Sequence, residues 1–178
     1  MRITVILVFL FFQMVFGEWI KVEGIPNSQE FPVFDGEKDN LWDRSVDLLF
    51  RGEIRGLSLL KYEENLLVLL KMEKEVLRYV GKSYYLDFYL GKRCGEDGFL
   101  MRVPLKVWNG RAYLFRLRGE KRMITGFFGV GLGRFLEITL PFPNVEKSEL
   151  CVVLLDSRTL ETLEKHELVL YFSSNERE

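Results

Sequence analysis

The chain of 178 residues has one histidine, two cysteines, two glutamines and a formal net charge of only −1. With His166 as its single imidazole, the chain is a poor candidate for histidine-dependent catalysis. The near-zero net charge and a pI of about 6.0 argue against a protein whose main role is nucleic-acid binding. Two cysteines and one distant histidine also make a poor zinc site.

Long amphipathic helices, internal repeats and low-complexity tracts are absent from the sequence as well. What is present is a hydrophobic fraction of 48% with 14% aromatic residues, enough to build the core of one domain. Many Glu, Lys and Arg residues beside only Gln13 and Gln29 favour a thermophilic source.

The N-terminus has the order of a secretory signal peptide. Met1 and Arg2 precede an apolar stretch from Ile3 to Phe16, and Gly17 offers a small residue for cleavage. We predict a signal peptide over residues 1–17, and a periplasmic or extracellular protein with no stable membrane span after cleavage. The alternatives are an uncleaved anchor or a buried first strand, although the apolar stretch is shorter than a membrane-spanning helix requires.

Most of the remaining chain shows strand signals. Two apolar runs, 57–62 and 66–72, flank the polar turn Glu63-Glu64-Asn65 and predict a hairpin, with a helix over 57–79 as the alternative. The run 83–90 carries four aromatic residues and predicts a strand. Further predicted strands cover 19–22, 123–130, 135–140, 150–155 and 167–172.

The dipeptide Asn109-Gly110 favours a two-residue turn between two alternating runs. This register would pair Lys106 with Tyr113 and Trp108 with Arg111. It would form an aromatic face edged by basic residues, suited to stacking on a sugar or another flat ligand. The alternative is that this face packs against the second sheet. The predicted ligand-binding residues are Trp108, Tyr113, Arg111 and Phe115.

These patterns predict an all-β fold, an antiparallel β-sandwich of jelly-roll or immunoglobulin-like type. The predicted segments are a signal peptide (1–17), a lead-in segment (18–32), the sandwich (33–172) and a flexible tail (173–178).

Aspartates recur every four residues in one probable loop. We predict no cofactor, although Asp35, Asp39 and Asp43, with Asp47, could supply oxygen ligands to calcium. Alternatively, these aspartates could cap backbone amides in turns or form an acidic helix face. For Cys94 and Cys151, a disulfide and two free thiols both remain open, because the sequence does not fix their separation.

No catalytic constellation is convincing. The glycine-rich run 126–133 lacks the strand–loop–helix context of a nucleotide-binding loop and predicts a bend or bulge instead. A nucleophile elbow and a zincin motif are both missing from the sequence. We therefore expect a protein that is not an enzyme.

Four segments that follow one another along the chain are similar to those of a known group of domains. They are Phe34–Asp43 with its acidic-glycine opening and Trp42, then 56–68, 84–89 with Asp87, and 136–141 of the Glu–aliphatic–Pro type. In this order they resemble the carbohydrate-binding module family 9-like and DOMON-like β-sandwich domains, over roughly residues 33–172.

The resemblance implies a binding role toward sugars, haem or related ligands, with structural calcium in some members. It implies core packing for Trp42. Axial haem ligands would have to come from Met72, Met101, Met123 and His166, but the polar sequence around His166 predicts an exposed side chain. The leading hypothesis is an exported noncatalytic module that binds carbohydrate or a cell-envelope glycan. The alternative is a structural or protein-interaction component of the envelope.

Overall fold

The structure is a computed structural model that describes residues 19–106, 110–119, 121–141 and 146–172. The predicted signal peptide, the tail 173–178 and residue Trp108 lie outside this part of the chain. Two 3₁₀ helices, Asn40–Arg44 and Val76–Tyr79, are the helical elements of the described residues. Neither has the length or the apolar character needed to cross a membrane.

The described residues form twelve strands in two sheets, so the predicted all-β sandwich is confirmed. The first sheet has seven strands in the order β1-β12-β11-β5-β6-β7-β8, and the second has five in the order β2-β3-β4-β10-β9. All neighbours are antiparallel except β1 and β12. The strands are β1 (Ile20–Val22), β2 (Val46–Leu49), β3 (Ile54–Tyr62), β4 (Asn65–Met72), β5 (Tyr84–Arg93), β6 (Asp97–Pro104), β7 (Arg111–Arg118), β8 (Lys121–Gly129), β9 (Gly131–Leu132), β10 (Leu136–Pro141), β11 (Lys147–Asp156) and β12 (Thr162–Tyr171).

The main core lies between the sheets and follows from the period-two alternation of the strands. On β5, Leu86, Phe88 and Leu90 point inward and are fully buried. On β4, the inward side chains are Leu66, Val68 and Leu70, and its other face is also covered. Because both faces of β4 are buried, the strand is apolar at nearly every position.

The predicted hairpin 57–72 is confirmed, and the helix considered as its alternative is wrong. Tyr62 pairs with Asn65, so Glu63 and Glu64 form a two-residue turn, in which Glu63 has a φ of 49°. The predicted strand over 83–90 is also present, extended to Arg93.

The predicted register of the Asn109-Gly110 hairpin is wrong. Tyr113 pairs with Arg102 rather than with Lys106, and β6 ends at Pro104. After Pro104 the chain stays bonded to β5, the strand on the other side of β6. The N–H of Leu105 donates to Tyr84 O on β5 at 3.0 Å. The connection from β6 to β7 is therefore longer than a two-residue turn.

The lead-in segment joins the two sheets. It contributes β1 to the edge of the seven-stranded sheet, beside β12. Further along, Ser28 N–H donates to Lys61 O at 2.7 Å, and Lys61 N–H donates to Pro26 O at 2.9 Å. These bonds satisfy the edge of β3 beyond the end of β2, so residues 26–28 are an integral part of the sandwich.

Candidate functional site

The outer face of the seven-stranded sheet carries the most distinctive group of side chains. Because β5 alternates, the residues between its buried apolar side chains point away from the core, and these are Tyr85, Asp87 and Tyr89. Strand β5 lies in the middle of the sheet, between β11 and β6. The three side chains therefore lie at the centre of a broad surface.

An ion pair occupies the centre of this face. Arg102 on β6 lies directly opposite Asp87, donating from Nε to Oδ1 at 2.8 Å and from Nη2 to Oδ2 at 2.6 Å. Asp87 is fully buried, while 17% of the Arg102 side chain is exposed. The hydrogen bonds to Asp87 raise the pKa of Arg102, so the guanidinium stays charged.

Tyrosines surround this ion pair. The ring of Tyr85 stacks under the guanidinium of Arg102, with Cζ 4.6 Å from the ring centroid. The hydroxyl of Tyr89 donates to Asp87 Oδ2 at 3.2 Å. Burial, helped by the charge of Asp87, raises the pKa of Tyr89 to about 12, so its hydroxyl keeps its proton. Two further half-buried aromatic residues, Tyr113 and Phe115 on β7, share the same face.

A groove continues this face toward β12, beside a disulfide bond. Cys94, in the β5–β6 turn, is bonded to Cys151 on β11, with a Cα–Cα distance of 5.9 Å. Of the two alternatives that the sequence left open, a disulfide and two free thiols, the structure shows the disulfide. The groove is lined by Tyr89, Cys94, Cys151, Val153, Leu155 and Lys165.

A second buried carboxylate lies on the outer face of the five-stranded sheet. Glu137 is fully buried and accepts hydrogen bonds from Gly36 N–H at 2.8 Å and Trp42 Nε1–H at 2.9 Å. Burial raises its pKa, although both hydrogen bonds oppose the rise. A Cβ on Gly131 would stand 2.8 Å from Glu137 Oε2, so this site has no room for a ligand there. The cluster is a packing centre, as predicted for Trp42.

No family model, curated protein or solved structure matches this chain. The resemblance to carbohydrate-binding module family 9-like and DOMON-like domains therefore stays a prediction. Any function has to be inferred from the side chains of the chain itself.

The structure brings together three of the four predicted ligand-binding residues. Arg111, Tyr113 and Phe115 alternate along β7 and lie on the outer face. Trp108 lies outside the described residues. Sequence reasoning did not propose Tyr85, Asp87, Tyr89 or Arg102 as binding residues, although the alternation within 83–90 could have indicated the first three.

The predicted calcium ligands have other roles in the described structure. Asp35 Oδ1 accepts from Glu37 N–H at 2.9 Å, and Asp39 Oδ1 caps the first 3₁₀ helix by accepting from Leu41 N–H at 2.9 Å. Asp43 is exposed, 3.8 Å from Lys38 Nζ. Across the described ranges, no three His, Cys, Asp or Glu side chains lie where they could share a metal ion. Calcium binding remains a prediction.

The expectation of an exposed His166 is wrong, because only 15% of the side chain is exposed. Its ring stacks on Phe50 with centroids 4.0 Å apart, and Nε2 lies 2.7 Å from Glu164 Oε1. Glu164 also accepts from the N–H of Glu53 at 2.7 Å. Since Glu164 belongs to the seven-stranded sheet and Glu53 precedes β3, this carboxylate links the two sheets.

Proposed function

We propose that the protein is a noncatalytic binding module for carbohydrate, and that its site is the outer face of the seven-stranded sheet. The observation that carries this proposal is the set of half-buried aromatic side chains around the Asp87–Arg102 pair. Aromatic rings offer flat apolar surfaces to the C–H faces of a sugar ring. A fixed guanidinium beside them offers hydrogen-bond donors to hydroxyl groups.

The noncatalytic part of the proposal rests on the state of Asp87. Both of its carboxylate oxygens accept hydrogen bonds from Arg102, and Oδ2 also accepts from Tyr89. A buried carboxylate held in this way is poorly placed to exchange protons with a substrate. Export to the periplasm or the cell exterior, as the N-terminal sequence predicts, would place the module among glycans of the cell envelope.

A glycan array followed by calorimetry tests the proposal. We expect binding to at least one glycan, and a clear loss of affinity in Tyr85→Ala, which removes the ring beneath Arg102. Tyr62→Ala serves as the matched control, because Tyr62 lies on the five-stranded sheet. Absence of binding across diverse neutral and acidic glycans would contradict the carbohydrate function.

A second candidate function is protein interaction through the edge of the seven-stranded sheet. Strand β8 is the last strand on that side among the described residues, and it exposes 54% of Met123 and 60% of Ile124. An exposed apolar edge strand can pair with a strand of another chain. The wild-type protein should recover a stable partner from envelope extracts, and Ile124→Lys should not. Recovery of the same partner by Ile124→Lys would contradict this function.

A further inference from the structure

The outer face is organised in two parallel rows that cross the strands. One row, here the apolar row, contains Tyr89, Leu100 and Phe115 on β5, β6 and β7, because Tyr89 pairs with Leu100 and Leu100 with Phe115. It continues to Ile124 on β8 and to Cys151 on β11. Leu100, which pairs with both aromatic residues, is fully buried, so the exposed surface of this row comes from its other side chains.

The adjacent row, here the polar row, contains Asp87, Arg102 and Tyr113, which pair across the same three strands. Since the rows are two residues apart along each strand, about 6.8 Å separates them. A sugar chain has apolar C–H faces and hydroxyl-bearing edges. The two rows thus offer stacking surface and hydrogen-bonding groups side by side.

The spacing within the apolar row fits alternate sugar units. Tyr89 and Phe115 are two strands apart, and neighbouring strands lie about 4.8 Å apart, so their backbones are separated by about 9.6 Å. This distance is close to the length of a disaccharide in an extended chain. From β12 to β8 the surface spans five such intervals, about 24 Å, which is enough for several sugar units.

The charges on the two rows cancel in pairs. Asp87 binds Arg102 in the middle of the sheet. At the β12 end, Glu167 lies opposite Cys151 and Lys165 lies opposite Val153, and these two side chains form an ion pair with each other. Because the charges within these two rows are matched, the rows complement a neutral ligand better than an anionic one.

Building on the proposed function, we infer that the ligand is an extended, neutral oligosaccharide that lies across the strands along the apolar row. The aromatic side chains of Tyr89 and Phe115 stack on two sugar units that are separated by one intervening unit. Arg102 and Tyr113 hold the hydroxyl groups on one edge of the chain. Because the rows lie on a sheet face, the ligand is recognised along its length rather than by its end.

The test is calorimetry of the purified protein with neutral cello-, xylo- and manno-oligosaccharides of increasing length, each also with its reducing end converted to an alditol. We expect affinity to rise with length until the chain spans Tyr89 and Phe115, and to be little changed by reduction of the end. Tyr89→Ala and Phe115→Ala should each weaken binding about tenfold, the effect of losing about 1.4 kcal/mol. Phe31→Ala, an exposed aromatic residue near Tyr62 on the other sheet, is the control.

The outcomes separate this inference from the proposed function. Binding of a monosaccharide as tight as that of the longest chain, loss of binding on end reduction, or preference for acidic glycans on the array would overturn the inference and leave a carbohydrate-binding module. If neither Tyr89→Ala nor Phe115→Ala weakened oligosaccharide binding, the placement of the binding site on the apolar row would be overturned. Failure to bind any glycan on the array would overturn the proposed function and this inference together.

Discussion

The indole Nε1–H of Trp42 donates a 2.9 Å hydrogen bond to Oε1 of Glu137, 95 residues further along the chain. The bond ties the first 3₁₀ helix to β10 on the outer face of the five-stranded sheet. Gly36 N–H donates to the second oxygen, so Glu137 holds two points of the segment that covers this sheet.

Stability should depend on pH through Glu137. Its folded-state pKa is raised above 4.5 by burial, so the folded protein holds this proton more tightly than the unfolded chain. The resulting stabilisation is fully present below pH 4.5 and is lost as pH rises through the raised pKa. We expect the free energy of unfolding of the wild type, minus that of Glu137→Gln, to fall as the pH is raised from about 4 through the raised pKa.

Urea unfolding across this pH range measures the difference. Asp47 and Asp156, whose pKa values are lowered, titrate in both proteins and cancel in the comparison. A difference that stays constant with pH would contradict the role assigned to Glu137.

Gly36 should be far less tolerant of alanine than Gly81. Both have positive φ, 83° and 85°, so the backbone strain of alanine is similar at the two positions, about 1–2 kcal/mol. At Gly36, however, a Cβ would lie 2.0 Å from Gly133 N, whereas at Gly81 nothing lies within 4 Å. We expect Gly81→Ala to lower the urea midpoint modestly and Gly36→Ala to lower it severalfold more. Equal shifts would show that the close approach of the two backbones is unimportant.

Removal of the disulfide should destabilise the fold substantially. The bond between Cys94 and Cys151 closes a loop with a sequence separation of 57, for which chain entropy predicts a loss of about 4 kcal/mol. The double variant Cys94→Ser/Cys151→Ser avoids a free thiol, and the wild type with and without reductant provides the parallel comparison. A double variant as stable as the oxidised wild type would contradict the prediction.

Glu164→Gln should loosen the turn before β3. Glutamine has only one oxygen that can accept, so both N–H groups have to share the Oε2 position, and a neutral amide oxygen is a weaker acceptor than a carboxylate. We expect a loss of about 1 kcal/mol in unfolding free energy and faster amide hydrogen exchange at these two residues. Glu161→Gln, an exposed carboxylate just before β12, is the control. Unchanged exchange at Glu53 and Ile54 would exclude the link between the sheets.

The sequence predicted the strands best where apolar or aromatic residues form long runs. Segment 57–72 formed the predicted hairpin, and the strand predicted over 83–90 formed as Tyr84–Arg93. The short strands β2 and β9 have four and two residues, too few for a recognisable period, and were not predicted. The Asn109-Gly110 register failed because Leu105 bonds to Tyr84, a partner that lies beyond the reach of local turn rules.

The candidate site was only partly predictable for a related reason. Alternation along one strand indicates that Tyr113 and Phe115 share a face. It does not indicate that β5 and β6 lie beside β7 in an order that places Asp87 against Arg102. The disulfide depends in the same way on the pairing of β5 with β11. Contacts that depend on the order of strands in a sheet can be predicted only when the whole fold is known.

The parallel pairing of β1 with β12 also constrains when the molecule can be completed. Ile20 aligns with Leu168, so an edge of the seven-stranded sheet joins segments near opposite ends of the described chain. During synthesis on the ribosome, β1 has no strand to pair with until β12 has emerged. Such non-local pairing slows folding, so this edge of the seven-stranded sheet is completed late.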